Sequence, residues 1–249
     1  MMETGSARPK AGLIDWIGLR WFFLLLSSSI GQKFVMGVTG LLLCGFLVAH
    51  LAGNLLLFAG AKWFNDYAHK LHEQWEFLIV AETGLFVLFL AHIYLAFATT
   101  FGNAKAREEQ YAVKQTKIKG RVIGANSWMF ASGAVVLGFV LLHLTDLRLA
   151  ADGINLRGFK YTDDAFGNTL MVLKNPISRA VYVIGSIVLG IHLSHGFASA
   201  FQSLGLNHPK YMPLIKIGGK VFAVVIAVGF ASIALFAPEI WRGYVPVSH

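Results

Sequence analysis

The chain is short of charge and has a single cysteine. Only 14% of its 249 residues are Asp, Glu, Lys or Arg, too few to cover the surface of an ordinary water-soluble domain of this length. The single cysteine, Cys44 in "LLLCGFL", excludes an intrachain disulfide, and the lack of any cysteine cluster excludes thiolate-held iron-sulfur centres. No glycine-rich nucleotide fingerprint is present, so neither a nucleotide nor a flavin has a recognisable site. None of the six prolines falls in the middle of a long apolar run, which argues against the broken helices common in transporters.

Hydrophobic residues, by contrast, make up 56% of the chain, and the mean hydropathy is +0.61. Five stretches, 33–59, 76–102, 127–149, 178–203 and 217–237, are long and apolar enough to cross a hydrocarbon layer of about 30 Å as helices. The expected fold is all-α, an integral membrane bundle of five transmembrane helices forming one domain over 1–249. The shorter run "LIDWIGLRWFFLLLSSSIG" carries Asp15 and Arg20 beside Trp16 and Trp21, a composition suited to an N-terminal interfacial helix. No small-x-small site follows it as a cleavable signal peptide requires. The formal net charge of +8 is concentrated ahead of the first stretch and in the loops after the second and fourth. That excess puts the N-terminus in the cytoplasm and the C-terminus outside. The basic loop "NAKAREEQYAVKQTKIKGR", beside a span, reads as a topology signal or a docking face for lipid or protein, and no nucleic-acid partner is expected.

Each of the first four stretches carries a histidine inside its apolar run, in "LVAHLAGN", "LAHIYLAF", "LLHLTDL" and "GIHLSHGF", and the fifth carries none. One such imidazole is ordinarily a neutral group bonded to a neighbouring helix. Four of them, one per span, point to function, because ionisable side chains in hydrocarbon are costly. His50 lies about 17 residues past Lys33, roughly 25 Å up from the cytoplasmic edge, and His143 about 16 past Ser127 reaches a similar level. The second and fourth spans descend, so His92, about 18 residues past Gln74, and His192, about 14 past Ser178, fall in the inner half. The four thus sort into an outer pair, His50 with His143, and an inner pair, His92 with His192. Zinc prefers four grouped ligands, and no further Cys, Asp or Glu gathers at either level. Two b haems need two imidazoles and a flat apolar slot each. Gly40, Gly45, Gly84, Gly138, Gly185, Gly190 and Gly196 let a porphyrin or a neighbouring helix approach the backbone. With no Cys-x-x-Cys-His, such haems are held non-covalently. His195 stands three residues after His192, about 60° around the helix and roughly 4.5 Å along it, and depth alone does not separate the two.

The segments "SSIGQKFVMGVTGLLLCGFLVAHLAGNLLLF", "FNDYAHKLHE", "LFLAHIYLAF", "LLHLTDL" and "LGIHLSHGFASAFQSLGLNHPKYMPLIK" resemble the diheme cytochrome b membrane anchor of succinate:quinone oxidoreductases, of the single-subunit, five-helix type. The resemblance runs from about Ser27 to Phe236. It implies His50, His92, His143 and His192 as axial ligands of two haem b irons, with His195 beside the fourth. It also implies a flavoprotein subunit and an iron-sulfur subunit on the cytoplasmic face, a quinone as electron acceptor, and a place in the respiratory chain and the tricarboxylic acid cycle. The localisation implied is multi-pass in a bacterial inner (cytoplasmic) membrane, among membrane lipid. Some diheme fumarate reductases of this kind carry an acidic residue two positions before the fourth ligand. Gly190 stands there in this chain, which favours succinate oxidation over the alternative of a quinol:fumarate reductase. A histidine-based proton-relay transporter is the alternative from a different class.

With no flavin or iron-sulfur site of its own, the chain is expected to receive electrons from partners, pass them to the inner and then the outer haem, and reduce a quinone, expected as menaquinone, near the outer pair. Glu82, about 8 residues into the second span and roughly 12 Å deep, is the candidate for proton exchange with that quinone. Asn65, Asp66, His69 and His72 in the outer loop are candidate contacts or relays, or helix caps. Haem propionates take cations or donors at the membrane edges, for which Lys33 and Arg121 stand at the inner edge, Arg148 and Arg179 at the outer edge, and His195 on the cytoplasmic side.

Overall fold

The structure, a computed structural model, describes residues 24, 27–105, 125–150, 157–159 and 161–245. Among these residues there is no strand. The helices are α1 (Ser29–Ala59), α2 (Ala61–Glu73), α3 (Trp75–Lys105), α4 (Ala125–His143), α5 (Ala165–Lys174), α6 (Pro176–Ser203) and α7 (Met212–Ile240), with a π turn, Leu144–Arg148, continuing α4. Five segments, Ser29–Ala59, Trp75–Phe101, Trp128–Arg148, Pro176–Ser203 and Met212–Ile240, have mean hydropathies of 1.5 to 2.5. At about 1.5 Å per residue the shortest reaches roughly 30 Å. The chain is a multi-pass membrane protein, and its spans fall within a few residues of those expected. The expected interfacial helix with Asp15, Trp16, Arg20 and Trp21, and the basic loop with Arg121, lie outside the described residues.

Side chains such as Val80, 71% exposed, and Leu214, 70% exposed, cover the outside of the bundle, a surface suited only to hydrocarbon. Lipid tails are as apolar as leucine, so the helices are held by close fit rather than by exclusion of water. α6 and α7 pack most extensively. At Gly190 an added Cβ would lie 2.7 Å from Ala227 Cβ and 3.2 Å from the Ala223 carbonyl, so glycine is what lets the two backbones come this near. α1 packs against α3, α6 and α7, and α4 against α6, whereas α3 and α4 barely touch. The first four spans therefore form a ring in the order α3, α1, α6, α4, with α7 outside the α1–α6 side and, among the described residues, a lateral opening between α3 and α4.

One end of the bundle is capped. α1 stops at Gly60, whose φ of +101° suits only glycine, and α2 turns off at once. Asp164 caps α5 by accepting from Gly167 N (3.0 Å) and also accepts from Asn65 Nδ2 (2.9 Å) and from the Tyr244 hydroxyl (2.7 Å). Asn65 Oδ1 in turn accepts from Phe166 N (2.9 Å), and Trp241 Nε1 donates to the Leu57 carbonyl (2.9 Å). Burial works to raise the Asp164 carboxyl, but the bonds from Gly167, Tyr244, Asn65 and Phe166 outweigh it and hold the group below its ordinary value. The Tyr244 hydroxyl is pushed up to about 12, by burial first and then by its bond to Asp164. Phe166, Leu170, Val172 and Leu173 of α5 are buried with Leu57 and Ala237, so this cap has an apolar core of its own.

Candidate functional site

The helix register brings the four intramembrane histidines together in two pairs, each spanning a diagonal of the ring. α1 and α4 have little backbone contact, yet His50 and His143 reach across until their ring centroids are 5.7 Å apart, with planes at 86°. This pair lies toward the capped end. Four residues earlier on each helix an aromatic ring backs the imidazole: Phe46 stacks on His50 at 5.1 Å and Phe139 lies 6.0 Å from His143. Phe230 of α7 and Tyr182 of α6 complete the walls at 5.6 and 5.8 Å. His143 Nδ1 is buried without a hydrogen-bond partner, while Asn54 Nδ2 donates to the His50 carbonyl (2.8 Å) and lies 3.5 Å from His50 Nδ1.

His92 of α3 and His192 of α6 lie toward the opposite end, within electrostatic reach of each other. Thr39 Oγ1 of α1 is 3.1 Å from His92 Nδ1, and Ser132 Oγ of α4 is 3.1 Å from His192 Nδ1. The residue after each hydroxyl is glycine. A Cβ at Gly40 would lie 3.4 Å from His92 Cε1 and one at Gly133 would lie 3.3 Å from His192 Cε1, so each imidazole rests directly on the neighbouring backbone.

These matched contacts reveal an internal repeat. "TGLLLCGFLVAH" (39–50) and "SGAVVLGFVLLH" (132–143) share hydroxyl, Gly, Gly, Phe and His at the same spacing, and "HIYLAF" (92–97) matches "HLSHGF" (192–197) in His, an aliphatic residue, a small residue and Phe. Eleven residues separate each hydroxyl from its histidine, three turns and about 16 Å along one stripe of the helix. α1 with α3 thus corresponds to α4 with α6, two hairpins running the same way and related by an axis along the bundle. Both histidine pairs join equivalent residues across that axis. Thr39 and Ser132 escaped the sequence reading, and this repeat is the signal that points to them. It also settles the register of "HLSH": His192 matches His92, whereas His195 matches Leu95.

The remaining candidate residues are placed as follows. His195 is exposed, with Nδ1 3.0 Å from the Ile191 carbonyl, and lines a groove between α6 and α7 with Lys216 and Lys220. Lys33 is exposed near the start of α1. Arg148 reaches Glu82 with Nε–Oε1 at 3.2 Å and Nη2–Oε2 at 3.3 Å, bridging α3 to the π turn at the capped end of the lateral opening. At the other end of that opening Phe97 and Phe101 of α3 meet Phe130 of α4 at 5.2 and 5.9 Å. Arg179 donates to Glu239 (2.7 Å) and to the Leu173 carbonyl (3.1 Å). The "FNDYAHKLHE" segment is helical rather than a loop. Within it Asn65 joins the cap, Asp66 pairs with Lys62 (2.7 Å), His69 Nδ1 lies 3.3 Å from Glu73, and His72 Nδ1 is 2.8 Å from the Ala68 carbonyl.

Beside the capped-end pair lies a buried polar cluster that the sequence did not announce. The π turn begins directly after His143, marked by Leu149 N donating to the Leu144 carbonyl (2.8 Å). Asp146 within it is 1% exposed; its Oδ2 accepts from Arg157 (2.7 Å) and more weakly from the Tyr182 hydroxyl (3.4 Å), while Tyr161 donates to its carbonyl. Burial first, and then the nearby Asp146 charge, push the Tyr161 hydroxyl up to about 12. Among the described residues no three His, Cys, Asp or Glu side chains converge as a tetrahedral metal site would require.

Comparison with protein-family models, with curated proteins and with solved structures finds no match to this chain.

Proposed function

We propose that the chain is the diheme cytochrome b subunit that anchors a succinate dehydrogenase to a bacterial inner membrane and carries electrons from its partners to a quinone. The observation that supports this most is the pairing itself: His50 and His143, equivalent residues of two repeated hairpins, meet across the axis of an apolar bundle, and His92 and His192 stand at equivalent places at a second level. Two imidazoles and a flat apolar slot are what a b haem asks of a protein. The donor set fits: the capped-end rings are 5.7 Å apart, one of them has a buried ring nitrogen with no partner, and aromatic rings wall the pair. His50 and His143 would hold one haem, and His92 and His192 the other. When bound, each haem supplies reversible one-electron chemistry.

The chain's own residues have definite tasks in this reading. Phe46, Phe139, Tyr182 and Phe230 keep water from the capped-end imidazoles. The capped end faces outward and the opposite end meets a flavoprotein and an iron-sulfur subunit in the cytoplasm, on the basic side of the charge asymmetry. The opening between α3 and α4 gives a lipid-soluble quinone, menaquinone in this reading, a lateral way in. At its capped end Glu82, held by Arg148, passes a proton to a quinone oxygen and is recharged from the outer water. Glu82→Gln removes that proton and should lower quinone-linked turnover without changing bound haem.

The deciding experiment is a reduced-minus-oxidised spectrum and potentiometric titration of the purified chain. Two b-type midpoints are expected, one lost in His50→Ala and the other in His92→Ala. Colourless protein, or both centres lost together in both variants that remain folded by circular dichroism, would refute the proposal.

A further inference from the structure

We propose that Thr39 and Ser132 are positioning residues that fix the proton on the Nδ1 side of His92 and His192 and thereby set the electron affinity of the centre at that level alone. The inference rests on the haem reading above and deepens it.

A hydroxyl has one proton and two lone pairs. The Thr39 proton is given to the Met36 carbonyl (3.0 Å) and the Ser132 proton to the Met129 carbonyl (3.1 Å). Each oxygen can then only accept at the imidazole 3.1 Å away. Nδ1 of His92 and of His192 therefore carries the hydrogen, and Nε2 of each is left as a bare lone pair, the form a metal ion needs. The bond does more than choose the tautomer. A ring whose N–H is held by an acceptor is a stronger donor at its other nitrogen, which favours the more highly charged, oxidised state of an iron bound there. The hydroxyls are short, anchored on helix backbone and backed by Gly40 and Gly133, so the rings have one seat each.

The capped-end pair has no such arrangement. His143 Nδ1 has no partner, and the nearest group to His50 Nδ1 is an amide nitrogen at 3.5 Å. Tyr182 of α6 stands at that level, but its hydroxyl turns to Asp146 Oδ2 (3.4 Å) rather than to an imidazole nitrogen, and Thr39 and Ser132 stand on α1 and α4 three turns away from His50 and His143. Two sites with the same ligand pair thus differ in how the ligands are held, and the difference comes from this chain.

The test uses the full chain purified with its bound haem, titrated potentiometrically and examined by electron paramagnetic resonance in the oxidised state. Thr39→Val keeps shape and removes the hydroxyl, and Ser132→Ala makes the smallest possible deletion. Either alone suffices if the other fails to fold. The expected result is a rise of about tenfold in the reduced-to-oxidised ratio of one centre at fixed potential, 59 mV for a one-electron couple. The second midpoint should stay in place, the low-spin signal of the affected centre should shift, and Thr39→Ser or Ser132→Thr should restore both. The centre that moves must be the one lost in His92→Ala. Unchanged midpoints in folded, fully loaded variants, or equal shifts of both centres, would overturn the inference and leave the haem reading standing. Colourless unsubstituted protein would overturn both.

Discussion

Truncating Arg157 to alanine probes how the π turn after His143 is held. Asp146 is 1% exposed and Arg157 keeps 23% of its side-chain surface, with Nη1 2.7 Å from Oδ2. In the variant the carboxylate keeps only the Tyr182 hydroxyl at 3.4 Å, a length at which a hydrogen bond contributes little. Removing one member of a buried pair typically costs about 3–5 kcal/mol, because the remaining charge stays desolvated. The partial exposure of Arg157 admits water and places the expected loss near the lower figure, about 3 kcal/mol. Replacing both residues, Asp146→Leu with Arg157→Ala, leaves no charge to desolvate, so the double variant should regain most of that loss. The cycle should therefore show a coupling of at least about 2 kcal/mol. Equilibrium unfolding in mild detergent, followed by circular dichroism and by the spectrum of the capped-end centre, reads both effects. An Arg157→Ala loss below about 1 kcal/mol, or a double variant as unstable as the sum of the singles, would refute the claim that a buried ion pair holds this turn.

His195→Leu, which restores the residue found at the matching position of the first hairpin, should leave both centres loaded, whereas His192→Leu should empty one; haem content per chain measures both. Asp164 has a lowered value in the folded chain, so its contribution is complete above the ordinary carboxylate value of about 3.9 and is lost as pH falls through the lowered one. Acid titration followed by the fluorescence of Trp241, in a chain with its other tryptophans replaced by Phe, should show the cap loosening below about pH 4. Asp164→Asn should flatten that transition.

The spans were legible because twenty or so consecutive apolar residues leave a chain few alternatives: backbone groups in hydrocarbon must be bonded within their own segment. Histidine depth followed from the fixed rise of a helix, which is why His50 and His143 were expected at one level before their rings were seen to meet. The cap was not legible. α5, "AFGNTLMVLK", is too short to span and too apolar for a surface loop, and its partners, Leu57 and Asn65 on one side and Tyr244 on the other, come from two parts of the chain far from it in sequence. The "FNDYAHKLHE" segment reads as a loop because its polar residues dominate, yet it lies within the helix Ala61–Glu73 at the end of the bundle. The reach of Arg148 to Glu82 depends on how α3 leans against the π turn, which no local pattern encodes. Thr39 and Ser132 were legible in principle. Their signal lies in the whole repeated strings, since a histidine by itself says nothing of a hydroxyl three turns away.

The repeat explains why two similar sites exist, and the departures from it explain why they differ. Two hairpins related by an axis place equivalent residues across from each other, so a single histidine on each ascending or descending helix suffices to make a pair at each level. Perfect symmetry would also make both lateral sides of the ring alike. α7 breaks this: it packs on α1 and, through the close approach at Gly190, on α6, while among the described residues the side between α3 and α4 has an aromatic contact at one end and the Glu82–Arg148 pair at the other. The cap breaks the equivalence of the two ends. It sets Asp146, Arg157 and Tyr161 beside one pair, and the other pair is left to the two hydroxyls. A bundle built of two similar hairpins thereby has two unlike lateral sides and two levels with different environments. In the proposed reading, those are the asymmetries that a directed path through the membrane requires.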